Sequence, residues 1–191
     1  MQKNTRNIAR AGVIAAAYAA LTLVVIQSPL GYGPVQFRLS EALTVVACFT
    51  PAAIPGLWIG AVLANAFMLT QFGVLALFDV VFGALGSLLG AMWTWRHRDR
   101  PVVALAGPVV ANALIVPAYL PLMLTGATGI DFYSIPFLGI DASQSWWSMY
   151  LFGVVAVGLG QAVVVYGLGL PLLAALRRLG VGRILAEDPS S

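Results

Sequence analysis

The chain has 191 residues, 60% of them hydrophobic and 9% charged, with a formal net charge of +3 and a mean hydropathy of +0.92. Soluble domains are roughly 45–50% apolar, so this composition excludes one and points to an integral membrane protein. The single cysteine, Cys48, excludes an internal disulfide, and the single histidine, His97, excludes a His-rich metal centre. No metal or cofactor is expected. The positive residues flank apolar runs, so the charge speaks of membrane topology rather than nucleic acid.

Lys3, Arg6 and Arg10 precede the first apolar run, residues 8–26. Further spans follow it, so it reads as a retained helix and not a cleaved signal peptide. Ala11, Ala15 and Ala19 recur every fourth residue there, a spacing that lets another helix approach closely. The segment Tyr32-Gly-Pro-Val-Gln-Phe-Arg38-Leu-Ser-Glu41 then sets an arginine and a glutamate at the start of a second run, 39–53. At about 1.5 Å per residue that run falls short of a hydrocarbon core about 30 Å thick. A turn from Thr50-Pro51 to Pro55-Gly56 leads to runs at 56–72 and 75–94, the latter carrying Asp79. Runs at 102–124 and 147–175 complete the set, separated by a loop of about twenty residues. That length favours a lid or binding loop over a tether. Trp146 and Trp147 at its end suit a membrane interface.

Three basic clusters lie before the first run, at Arg96, Arg98 and Arg100, and at Arg177, Arg178 and Arg183. Four and then two spans separate them, which puts all three on the cytoplasmic side. The expected architecture is all-α and polytopic: one domain over residues 1–191, a compact bundle of six transmembrane helices with both termini cytoplasmic.

Charges at membrane depth are costly and by default face a cavity or ligand. Arg38, Glu41, Asp79, Asn65, Asn112 and Gln161 come from five helices at a comparable level in the outer half. Such convergence suits an apolar pocket with a few placed polar groups, against the alternative of plain interhelical hydrogen bonds. Arg38 and Glu41, three residues apart, share a helix face and are able to satisfy each other. Equally, Arg38 is able to pair with Asp79 and leave Glu41 for a cationic or amine-rich solute. Phe37, Tyr32 and Trp146 are the aromatic candidates for stacking on a ligand ring. Lys3 is the only lysine, so no Walker A motif exists, and no nucleophile and base stand together.

These residues suggest a family. The Tyr32–Glu41 segment, Phe78-Asp79-Val-Val-Phe-Gly83, Asn112 and the stretch from Gly160-Gln161 to Gly169-Leu-Pro171 resemble the QueT family. Its members are substrate-binding S components of energy-coupling factor (ECF) transporters. The resemblance implies a non-enzymatic binding subunit in a prokaryotic cell membrane. It implies a queuosine precursor as ligand, pre-queuosine 1 or a related 7-deazaguanine such as queuine. It also implies a membrane coupling subunit and two ATP-binding subunits as partners, with Ala11, Ala15 and Ala19 as the docking face. An acid is common in the family where Gln161 stands; the resemblance then implies either that Asp79 or Glu41 meets a ligand cation here or that the chain prefers a related base such as queuine. The competing reading is a stand-alone proton-coupled secondary transporter, which lacks the repeated broken-helix pair such proteins often carry. An intramembrane enzyme or a structural partner is the third.

Overall fold

In lipid, every backbone amide must be bonded within its own segment or to a neighbour, so long apolar runs fold as helices. A computed structural model of the chain shows this, describing residues 2–26, 37–127, 133–135 and 138–186. Four helical stretches among these residues are long and apolar enough to cross a membrane: Asn4–Val25, Gly73–Arg96, Pro101–Met123 and Trp146–Arg178. Two shorter apolar helices, Leu39–Cys48 and Ala53–Phe67, lie between the first two.

Helix α1 spans Gln2–Ile26 and takes the basic N-terminal residues into the helix. Leu39–Cys48 winds as a tight 3₁₀ helix. At about 2.0 Å per residue it covers about 20 Å, more than ten α-helical residues would. It ends five residues before the expected boundary, and α2 (Ala53–Phe67) begins earlier than expected. Pro55 does not break α2, because in the first turn of a helix the missing N–H has no partner to lose. The short α3 (Leu69–Phe72) closes on Gly73, whose φ of +57° a side chain would resist.

A wide π turn over Asp79–Gly83 leads into α4 (Ala84–Arg96). Helix α5, Pro101–Ala127, carries Pro108, Pro117 and Pro121 in its interior. Pro108 has no N–H for the carbonyl of Ala104, and the Thr94 hydroxyl of α4 donates to that oxygen instead, at 3.0 Å. Helix α6 (Trp146–Val164) starts with a capping box between Ser145 and Ser148. A second π turn, Val165–Gly169, joins it to α7 (Leu170–Arg178), followed by α8 (Val181–Ala186).

Within the loop before α6, β1 (Ser134–Ile135) pairs antiparallel with β2 (Ile140–Asp141). Hydrogen bonds from the Ser143 hydroxyl and then its amide hold the exposed Asp141 carboxyl below the usual carboxylate range. Tyr133 and Ala142 are buried against Val116, Tyr119, Leu120 and Met123 of α5, which seats these two loop residues on the bundle.

The alanine stripe of α1 has a different role from the expected docking face. Ala11 and Ala15 are buried, and a Cβ added to Gly56 or Gly60 of α2 would lie 2.8 Å from the Ala11 or Ala15 carbonyl oxygen. Ala19, half-buried, packs against the cluster that holds Tyr18, Leu57 and Ala61. Small residues on both helices bring α1 against α2, and the face they make is used up inside the chain.

Candidate binding site in the buried polar cluster

The carboxylates of Asp79 and Glu41 are both buried, with relative exposures of 2% and 0%. A charge so placed must be met by donors or counter-charges, and the two meet this demand differently. Asp79 receives Arg38, whose Nη2 lies 3.0 Å from Oδ1 and 3.1 Å from Oδ2. The Tyr119 hydroxyl donates to Oδ1 at 2.5 Å. Asn65 Nδ2 donates to the Asp79 backbone carbonyl at 2.7 Å, where the π turn begins. Of the two pairings open to Arg38, the structure therefore has the one with Asp79.

Glu41 is left to hydroxyl groups. The Tyr18 hydroxyl of α1 donates to Oε1, as does Ser87 Oγ of α4 at 2.8 Å. Among the described residues Oε2 has only Thr44 Oγ1, at 3.4 Å. An ionised carboxylate has about four lone-pair sites, so Oε2 keeps acceptor capacity. A further bond ties α1 to the 3₁₀ helix, from Thr22 Oγ1 to Ser40 Oγ at 2.7 Å.

One turn of helix gathers these groups. At Gly83 an added Cβ would overlap Asp79 Oδ1 and sit 2.9 Å from Asn65 Nδ2 and 3.0 Å from the Tyr119 hydroxyl oxygen. At Gly86 it would lie 2.5 Å from Asn112 Oδ1. Ser87 is bonded to Glu41. Positions 83, 86 and 87 share one helix face and span about 6 Å along the axis. Asp79, Asn112 and Glu41 thus converge on a single patch of α4, and glycine at two of its positions makes room for them.

Two buried amide atoms lack a partner among the described residues: Asn112 Oδ1, against Gly86, and Gln161 Nε2 on α6. The residues are 2% and 3% exposed. Asn112 Nδ2 donates to the Pro108 carbonyl at 3.0 Å, which fixes which way that amide faces. An orphaned acceptor and an orphaned donor, each worth about 1–3 kcal/mol if left unmet, are complementary to a polar ring edge. With Glu41 Oε2 they form the unsatisfied part of the cluster.

The aromatic candidates are placed elsewhere. Trp146 is 40% exposed at the start of α6 and stacks on Tyr150 with ring centroids 5.3 Å apart. It takes no part in the buried cluster. Phe37 is half-buried beside Arg38, and Tyr32 lies outside the described residues. Tyr18, Ser87, Tyr119 and the two glycines are absent from the candidates that sequence reasoning finds. The available signal is chemical: buried carboxylates need donors, so hydroxyls on neighbouring spans merit as much weight as amides.

The fold defines a multi-pass α-helical membrane protein, and its buried polar cluster has incomplete hydrogen bonding among the described residues. Residues 8–178 match the family described as "QueT transporter", and the chain belongs to that family. Over 90 residues it is 36% identical to the protein named "Queuosine precursor transporter QueT" from Lactococcus lactis subsp. cremoris (strain MG1363). That alignment covers 46% of this chain and 53% of the relative, so the chain spans about half the length of the curated relative it matches. No solved structure matches it.

The ion pair has a measurable signature. Arg38→Met or Asp79→Leu alone leaves a buried charge behind and is expected to cost about 3 kcal/mol of stability. The double variant Arg38→Met/Asp79→Leu should lose clearly less than the sum, in thermal or denaturant unfolding of the purified protein. Strict additivity would mean that the two residues do not act as a pair.

Proposed function

We propose that the chain is the substrate-binding membrane subunit of an energy-coupling factor importer, capturing a queuosine precursor from outside a prokaryotic cell. Membership of the QueT transporter family and the printed name of the relative support the solute class. The observation that carries the reading is the set of buried polar atoms left unsatisfied among the described residues: Glu41 Oε2, Asn112 Oδ1 and Gln161 Nε2. In this reading the chain crosses the membrane six times, the two short helices included, with both termini cytoplasmic. The three basic clusters support that orientation. ATP hydrolysis belongs to separate subunits, because the chain has no P-loop.

Pre-queuosine 1 is a 7-deazaguanine with an aminomethyl group, positively charged at neutral pH. Asp79 is already matched by Arg38, so Glu41 is the carboxylate left to meet that ammonium. The charge-assisted bond would be roughly twice as strong as a neutral one. Gln161 Nε2 donates to the ring carbonyl, and Asn112 Oδ1 accepts a ring N–H. Tyr18, Ser87 and Thr44 hold the Glu41 side chain in place for this task.

Docking to the membrane coupling subunit falls to the outward face of α1. With Ala11 and Ala15 buried, Gly12, Ala16 and Ala20 are the small residues that face outward at the same spacing. Ala16→Trp should abolish co-purification with the coupling and ATP-binding subunits while solute binding persists. Undiminished association would remove this face from the account.

Glu41→Gln tests the solute reading. In calorimetric titration it should weaken 7-aminomethyl-7-deazaguanine by about 2–3 kcal/mol, some thirty- to a hundred-and-fiftyfold in Kd. The neutral 7-cyano analogue should lose much less. Equal losses would mean that Glu41 does not read the amine. Uptake by this chain alone, driven by a proton gradient, would establish the secondary transporter instead.

A further inference from the structure

Away from the polar cluster, α4 and α5 leave an apolar groove of about 190 Å³ between them, lined by Leu89, Trp93, Ala106, Gly107, Val110 and Ala111. For scale, an engineered apolar cavity of about 150 Å³ holds a benzene molecule. The groove has a cause in the sequence. Trp93 lies against Gly107, where an added Cβ would overlap the indole, and its Nε1 donates to the Val103 carbonyl at 2.8 Å. His97 stacks on the other part of this corner, with ring centroids 4.1 Å from Trp93. The indole is thereby fixed as one wall, and its only donor is already used.

Charge stands at one end of the groove only. Leu89, Trp93 and Arg96 recur at i, i+4 and i+7, so they share a face of α4. Val103, Gly107 and Ala111 share a face of α5 in the same way, and Arg100 stands just before that helix. The two stripes run antiparallel, with both arginines at the end where the helices join. Arg96 and Arg100 are exposed, and neither has an ion pair or a side-chain hydrogen bond among the described residues. Arg98 is engaged, lying over the Trp95 ring at 4.2 Å and donating to the Trp95 carbonyl at 3.1 Å. The remaining charge of the connection is the exposed Asp99. From Arg96 to Leu89 the apolar track runs about 10 Å, and from Arg100 to Ala111 about 16 Å.

We propose that this groove is a binding site for an anionic phospholipid, with the first part of one acyl chain lying along Trp93, Gly107 and Ala111 and the phosphate held between Arg96 and Arg100. Charge complementarity selects this occupant: an apolar partner helix would leave both guanidiniums unmatched, and a zwitterionic lipid would match them less well. The arginine fork suits phosphate oxygens, which it meets with two parallel bonds. A lipid so seated would brace the α4–α5 hairpin, which also carries Gly86, Ser87 and Asn112 of the polar cluster.

The test is native mass spectrometry of the full chain released from nanodiscs of equimolar phosphatidylglycerol and phosphatidylcholine. Each arginine near an anionic group contributes roughly fivefold, so with both engaged the wild type should retain phosphatidylglycerol with about twenty-fivefold enrichment. Arg96→Gln/Arg100→Gln should bring the two lipids level. Ala106→Leu, which fills the groove and leaves both arginines in place, should reduce retention of phosphatidylglycerol several-fold. Binding of the 7-deazaguanine by each variant serves as the check that it is folded. No enrichment in the wild type overturns the proposal, as does enrichment that survives in the folded Ala106→Leu protein. Weaker association with a second membrane protein, with lipid retention unchanged, would assign the groove to a partner helix and overturn it too.

Discussion

The need to satisfy two carboxylates where water does not reach organises this bundle. Asp79 and Glu41 are both buried, and the solutions they find draw on nearly every helix around them. Asp79 takes a guanidinium from the segment before the 3₁₀ helix, a phenol from α5 and, on its own carbonyl, an amide from α2. Glu41 takes hydroxyls from α1 and α4. A paired charge and an unpaired one therefore stand side by side. The pair fixes the geometry, and the unpaired one, with the orphaned Asn112 and Gln161 atoms, is what a ligand would complete. Removing one member of a buried pair costs about 3–5 kcal/mol, a large share of the 5–15 kcal/mol that holds a typical domain together.

Close helix approach makes that cluster possible. The π turn at Asp79–Gly83 widens the backbone before α4, and such single wide turns are frequent at functional sites. Gly83 and Gly86 then let the Asp79, Tyr119 and Asn112 side chains lie directly on the α4 backbone. On the opposite side, the Gly56 and Gly60 contacts with Ala11 and Ala15 seat α1 so that Tyr18 reaches Glu41. Helix α1 is thus tied to the site by packing and by hydrogen bonds, including Thr22 to Ser40. If α1 carries the docking face, the bond from Tyr18 to Glu41 gives the site a physical link to the partner.

Much of this was legible in the sequence. Hydropathy and punctuation located the apolar helices, because backbone satisfaction in lipid leaves few alternatives. The rarity of charge singled out Arg38, Glu41 and Asp79, since each needs a specific reason to be present. Pairing was not legible: Arg38 has an acid three residues away and another forty-one away, and only tertiary packing decides between them. The role of Ala11, Ala15 and Ala19 was ambiguous in the sequence for a related reason. A four-residue repeat of small side chains says that a helix comes close, not whether that helix belongs to the same chain. Tyr18 and Ser87 were passed over because hydroxyls are unremarkable in a membrane span until a buried carboxylate is found beside them.

A structure of the protein with 7-aminomethyl-7-deazaguanine bound is the most direct test of this division between a paired and an unpaired carboxylate. The account predicts the ammonium within hydrogen-bond distance of Glu41 and the ring edge on Asn112 and Gln161, with the bond between Arg38 and Asp79 intact. Ligand seated on Asp79 with Arg38 displaced, or bound outside the cluster altogether, would contradict it.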